Sequence, residues 1–195
     1  ALDRLGRAGA MAWGQGGQAT LESAIGEIAA GCVRLAERRH GALIVIERET
    51  GLQEHVETGV EIDAKVSSEL LQTIFFPSTA LHDGAVIIRG GRIVSAACVL
   101  PLAEAIMSDA HLGTRHRAAV GITEQTDALS IVVSEETGVI SMARGGRMVR
   151  HLDERRLVTL MRALLTTKRG RKPRRRKADS AGKRGSDSHP ETRRE

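Results

Sequence analysis

The sequence predicts an α/β domain built on a mixed central β-sheet flanked by helices. Three features carry that prediction: segments with helical apolar spacing, several short β-branched runs, and glycine pairs placed where strands would reverse. The first helix is predicted over residues 20–36. Leu21, Ala24, Ile25, Ile28, Ala29, Cys32, Val33 and Ala36 recur there at i, i+3, i+4, with Thr20 as N-cap and Gly41 as the stop. Residues 42–47 (ALIVIE) form a mostly continuous apolar run and read as a buried strand. A short helix follows over residues 67–75, ended by Pro77. Residues 85–89 and 92–98 flank Gly90-Gly91, a two-residue turn that needs positive φ, and so predict a hairpin. Residues 128–134, 139–144 and 147–150 form a second set of strands, joined by the turn at 135–138 and by Gly145-Gly146. Asp153 caps a last helix reaching Thr166, with Leu157, Leu160, Met161, Leu164 and Leu165 on its inner face.

With 195 residues, 41% of them hydrophobic, the chain can bury one sizeable core. Residues 1–19 contain Gly6, Gly9, Gly14, Gly16 and Gly17 and read as a linker; residues 20–167 form the folded domain. Residues 168–195 hold 12 of the 29 Lys and Arg against 4 of the 24 Asp and Glu, with no apolar periodicity, and read as a disordered basic tail. Removing them turns a net charge of +5 into −3, from 17 basic and 20 acidic residues, so the basic character belongs to the tail. The stretch KRGRKPRRRK at 168–177 would attract RNA or anionic lipid in a salt-dependent way. Aromatic residues make up only 2%, which argues against a module that stacks bases on rings. Cys32 and Cys98 lie outside any CxxC pair, so neither a zinc cluster nor a disulfide framework is expected. No apolar run approaches the length of a bilayer span, and no secretory leader pattern opens the chain. Ala1 in place of an initiator Met leaves room for an upstream segment.

Three short segments carry chemistry. Gly14, Gly16 and Ala19 mimic a dinucleotide fingerprint, but no strand precedes them, so they read as linker. His82-Asp83-Gly84-Ala85 sets an imidazole and a carboxylate at the mouth of a strand, with a glycine that permits close approach to the backbone. Gly113-Thr114-Arg115-His116-Arg117 leads into the apolar Ala118, Ala119 and Val120 and reads as a helix start. Two arginines there oppose the helix dipole unless an anion is present, so guanidinium forks, a hydroxyl and free amides describe a polyphosphate clamp. Ser134-Glu135-Glu136-Thr137-Gly138 joins two strands and places a hydroxyl and two carboxylates at a sheet end. Each segment alone reads as an ordinary turn or charged surface; together, at element ends of one α/β domain, they mark a ligand site.

These elements resemble the diadenylate cyclase (DAC) domain, particularly of the CdaA type. Asp83-Gly84-Ala85 matches the family's DGA motif and Arg115-His116-Arg117 its RHR motif, and the similarity extends over residues 20–165. The resemblance implies condensation of two ATP molecules into cyclic di-AMP with release of two pyrophosphates, using Mg²⁺ or Mn²⁺. It assigns catalysis to Asp83, Gly84 and Ala85, and phosphate contacts to Gly113, Thr114, Arg115, His116, Arg117 and Ser134. His82, Asp83 and Glu136 would serve the metal, with Glu135 an alternative to Glu136, and Leu100 would lie beside the adenine. Where relatives carry an aromatic residue before that leucine this chain has Val99, which removes ring stacking.

Because cyclic di-AMP has two equivalent linkages and the chain carries one set of motifs, the reaction implies a homodimer with facing sites. CdaA-type relatives carry transmembrane helices ahead of this domain. The resemblance therefore also implies a cytoplasmic catalytic domain, a parent protein anchored in the cell membrane, and regulatory partners there. Two other functions compete: a nucleotide sensor that keeps the clamp without the chemistry, and a nucleic-acid or membrane binder built on the tail.

Overall fold

Alternation along the central strands sets the layering. The computed structural model describes residues 15–103 and 112–166. Its elements run α1 (Gln15–Glu37), β1 (Ala42–Ile46), α2 (Gln53–Val56), β2 (Val60–Lys65), α3 (Ser68–Ile74), β3 (Ala85–Arg89), β4 (Arg92–Cys98), α4 (Thr114–Gln125), β5 (Leu129–Val133), β6 (Ile140–Arg144), β7 (Arg147–Val149) and α5 (Glu154–Thr166). All five β1 side chains are buried. Ala42, Ile44 and Ile46 pack against α1, α3 and α5, while Leu43 and Val45 pack against α4. Both faces of this strand are covered, which is why its sequence is continuously apolar instead of alternating.

The seven strands follow the order β2-β4-β3-β1-β5-β6-β7. Only β1 and β3 are parallel; the other described neighbours pair antiparallel. The sheet is therefore mixed and flanked by helices, as the sequence predicts. At the far end of β1, Glu47 is buried and accepts two hydrogen bonds from Arg89 (2.7 and 2.8 Å) and one from the Leu52 amide (2.9 Å). That bidentate pair holds the Arg89 guanidinium above its usual pKa.

Several element ends follow the sequence closely. Ser67 caps α3 by accepting from the Leu70 amide (3.2 Å), and Asp153 accepts from the Arg156 amide (2.8 Å) at the start of α5. Gly90 and Gly91 turn β3 into β4 with φ of 58° and 78°. Other ends differ. α1 starts at Gln15, five residues before the expected cap at Thr20, so residues 15–19 extend a helix where a linker was expected. Once a helix is docked, each further residue adds a hydrogen bond, which offsets the weak helix propensity of Gly16 and Gly17. α1 also stops without its expected glycine. Arg39 takes the left-handed conformation (φ 53°), and the His40 and Arg39 amides return to Leu35 (2.9 Å) and Ala36 (3.1 Å). β2 and α2 add to the elements that the sequence predicts. The N-terminal residues 1–14 and the basic tail from 168 lie outside the described residues.

The two ends of the domain meet at one pole. The methyl of Thr20 lies beside Gly91 in the β3–β4 turn, and Glu22 near the start of α1 pairs with Arg162 near the end of α5 (2.7 Å). The opposite pole, where β1 and β3 begin and β4 and β5 end, carries the sequence motifs.

Candidate active site

Gly84 fixes where Asp83 stands. Its φ is +108°, and a Cβ there would lie 2.7 Å from the Ala97 carbonyl carbon and 2.9 Å from the Cys98 oxygen. Ala97 (φ 55°) belongs to a bulge between the pairs Ala85↔Cys98 and Ile87↔Ser95, which pushes the β4 backbone toward Gly84. Only glycine fits this crossing. Ala85 is fully buried as the first β3 residue, and Asp83 emerges exposed at the strand mouth. Among the described residues, nothing hydrogen-bonds or pairs with the Asp83 carboxylate. His82 Nδ1 lies 2.6 Å from the Thr79 carbonyl. A carbonyl only accepts, so Nδ1 carries the proton and Nε2 of the neutral ring keeps its lone pair.

Two strand spacings away, about 10 Å, a cleft opens between the start of α4 and the turn after β5. Gly113, Thr114, Arg115, His116, Val133, Ser134, Glu135 and Glu136 line it. The α4 N-terminus has neither a side-chain cap nor an acidic residue in its first turn, so its positive end is left for an anion. Ser134 Oγ accepts from the Thr137 amide (3.2 Å) and retains its own proton for donation. Gly138 (φ 72°) braces this turn, since a Cβ there would lie 2.7 Å from the Ala36 oxygen of α1.

Arg115 reaches into the cleft and pairs with Glu135, Nη1 to Oε2, at 2.5 Å. Gly41 lies beneath the pair: a Cβ there would stand 2.7 Å from Glu135 Oε2 and 3.0 Å from Arg115 Cζ. The glycine expected to stop α1 instead lies as the floor of this ion pair. His116 is turned inward and buried. Arg117 is not among the cleft residues; its Nε donates to the Ala103 carbonyl (3.4 Å). Successive helical residues are 100° apart, so positions 115 and 117 leave α4 in directions about 160° apart. Leu100 is buried at the same pole of the sheet, after β4, while Val99 is 66% exposed and donates its amide to Thr58 Oγ1 (2.9 Å).

Several contributors escaped the sequence: Gly41 as a floor, Thr58 as an anchor, and Gly121. The last left a signal, because a glycine inside a helix costs about 1 kcal/mol and its presence hints at a close approach. A wider groove of about 430 Å³ runs between α1 and α3, lined by Arg34, Arg38, Glu69 and Phe76 among others, and contains none of the motif residues.

Among the described residues, no three His, Cys, Asp or Glu side chains converge to enclose a metal. The Mg²⁺ or Mn²⁺ that the resemblance implies, carried on a nucleotide, would not require such a cluster. Such an ion needs only one or two protein ligands when phosphates supply others. Asp83 and the Nε2 of His82 at the strand mouth, or Glu136 at the cleft two strand spacings away, are the groups able to contribute.

Comparison with known proteins identifies the family. The family described as DisA bacterial checkpoint controller nucleotide-binding (DAC) matches residues 29–148. The chain is 55% identical over 129 residues to the cyclic di-AMP synthase CdaA of Bacillus subtilis, covering 66% of this chain and 47% of that protein. It is 51% identical over 139 residues to a diadenylate cyclase of Listeria monocytogenes, covering 71% and 51% respectively. The chain therefore spans about half the length of these relatives. Among solved structures, DacA from Staphylococcus aureus superposes with a TM-score of 0.72 at 44% identity, covering 75% of this chain and 97% of that one. A Bacillus cereus protein described as membrane spanning gives 0.62 at 46% identity, covering 65% and 62%. No described helix of the present chain is long and apolar enough to cross a membrane. Motifs, mixed sheet and matched segment agree: this chain belongs to the DAC family.

Proposed function

We propose that the chain is a diadenylate cyclase that joins two ATP molecules into cyclic di-AMP and releases two pyrophosphates. The observation that carries this reading is the placement of an exposed carboxylate, Asp83, unpartnered among the described residues, at the same end of the sheet as an uncapped helix start bearing Arg115. In each half-reaction the 3′-oxygen of one ATP attacks the α-phosphorus of the other. One O–P bond forms as the bond to pyrophosphate breaks. Asp83 orients the hydroxyl and accepts its proton. Arg115, Thr114, Ser134 and the first amides of α4 hold the triphosphate and stabilise charge on the leaving group. A divalent cation, when bound, would neutralise phosphate charge and favour in-line geometry.

One chain supplies one carboxylate and one cleft, whereas the product has two equivalent linkages. Two copies therefore face each other across a two-fold axis, each presenting its ATP to the other. The pole that carries the site lies opposite the pole where α1 begins and α5 ends, which leaves it free for such pairing. An ATP substrate sets the domain on the cytoplasmic side of the membrane. The test is direct: incubate the chain with ATP and Mg²⁺ or Mn²⁺ and separate products by chromatography. Cyclic di-AMP should appear, and Asp83→Asn should abolish it while leaving the fold intact. Undiminished synthesis by that variant would remove Asp83 from the chemistry.

A further inference from the structure

Arg117 shares a motif with Arg115 but sits in different surroundings. Its backbone oxygen accepts from the Ala103 amide (3.0 Å), and its Nε donates back to the Ala103 carbonyl (3.4 Å). One turn further along α4, Gly121 lets the same loop approach the helix. A Cβ at Gly121 would lie 2.2 Å from the Pro101 oxygen and 2.8 Å from the Ala103 nitrogen. Ala103 and Leu100 are buried by this contact, whereas Leu102 between them remains 46% exposed. The segment after β4 is thereby clamped to the helix whose first turn forms the cleft.

We infer that Arg117 is a positioning residue: it fixes the loop after β4, on which the nucleobase rests, relative to the phosphate-holding start of α4, and does not itself hold phosphate. This inference rests on the proposed cyclase reading, in which the triphosphate lies in the α4 cleft and the base beside Leu100. Arg115 and Arg117 then divide the ligand. Arg115 acts on the triphosphate end, and Arg117 acts on the nucleoside end through the loop.

Equilibrium binding of three probes separates the roles: adenosine, inorganic triphosphate, and α,β-methylene-ATP, which presents both ends without turnover. Arg117→Met should weaken adenosine by about tenfold and leave triphosphate unchanged; Arg115→Met should do the reverse. Gly121→Ala disturbs the loop without touching either arginine and should reproduce the Arg117→Met pattern. Far-UV dichroism and thermal midpoints check that each variant is folded. In the unaltered chain the Ala103 amide should exchange its hydrogen slowly, a readout that needs no substitution. Loss of triphosphate binding in Arg117→Met, unchanged adenosine binding in that variant, or fast exchange at Ala103 would each overturn the inference. A wild-type chain that binds none of the three probes would instead overturn the nucleotide reading beneath it.

Discussion

On the proposed reading Glu135 occupies the guanidinium that would hold the triphosphate, so replacing it with glutamine should tighten nucleotide binding. Arg115 Nη1 lies 2.5 Å from Glu135 Oε2, with the arginine side chain 18% exposed and the glutamate 59% exposed. An ion pair with one well-solvated partner is worth about 0.5–1 kcal/mol. The incoming phosphate must displace that interaction, and Glu135→Gln removes most of it along with one negative charge at the cleft. The dissociation constant of α,β-methylene-ATP should therefore fall by about two- to fivefold at low ionic strength. The gain should shrink as salt screens the exposed carboxylate. Isothermal titration calorimetry at low and high salt measures both. Equal or weaker binding by Glu135→Gln would refute the reasoning, since the carboxylate would then be orienting Arg115 for phosphate and not competing with it.

Two other perturbations test neighbouring parts of the account. Gly84→Ala adds a Cβ to a backbone at φ +108°, 2.7 Å from the Ala97 carbonyl carbon. It should cost about 1–3 kcal/mol in urea unfolding, and cyclase activity should be lost in the fraction that remains folded, because the strand mouth carrying Asp83 must shift. Asp127 lies at the opposite pole and accepts from the Thr50 and Glu49 amides (2.9 and 3.3 Å). Burial, the largest single influence, raises its pKa, but those amides and nearby Arg48 together outweigh it and hold the carboxyl below its ordinary value of 3.8. A depressed folded pKa means the stabilisation is complete above the unfolded value and is lost as pH falls through the folded one. Asp127→Ala should lower stability by about 1–3 kcal/mol at neutral pH and flatten the decline below pH 4, measured by urea melts across acid pH. An unchanged acid limb would show that another group sets it.

The central strands and the motif positions were legible because burial and turn chemistry leave local marks. Residues 42–46 are continuously apolar since β1 is covered on both faces, and Gly90-Gly91 marks a turn that few other residues can make. β2 carries the alternation of an edge strand, Val60, Ile62 and Ala64 against Glu61, Asp63 and Lys65, but the mark is faint because the run is six residues long, buries none of them fully and is broken in its pairing by a bulge at Asp63 (φ 44°). α2 has four residues and buries none of them, too little for any periodic signal. At the site, residue types announced the chemistry, but tertiary contacts distributed the roles. Gly41 has the composition of a helix stop and the position of a floor beneath Arg115. The divergence of Arg115 and Arg117 follows from helix geometry once α4 is known to start at Thr114.

The shared site is the claim on which the mechanism depends, and the dependence of rate on chain concentration tests it most directly. Cyclic di-AMP formation per chain should be followed by chromatography across a dilution series, with sedimentation reporting the oligomeric state at each point. Activity per chain should fall toward zero as the protein dissociates, while ATP binding by each chain persists. Full activity per chain where sedimentation shows only monomers would contradict a site built between facing copies.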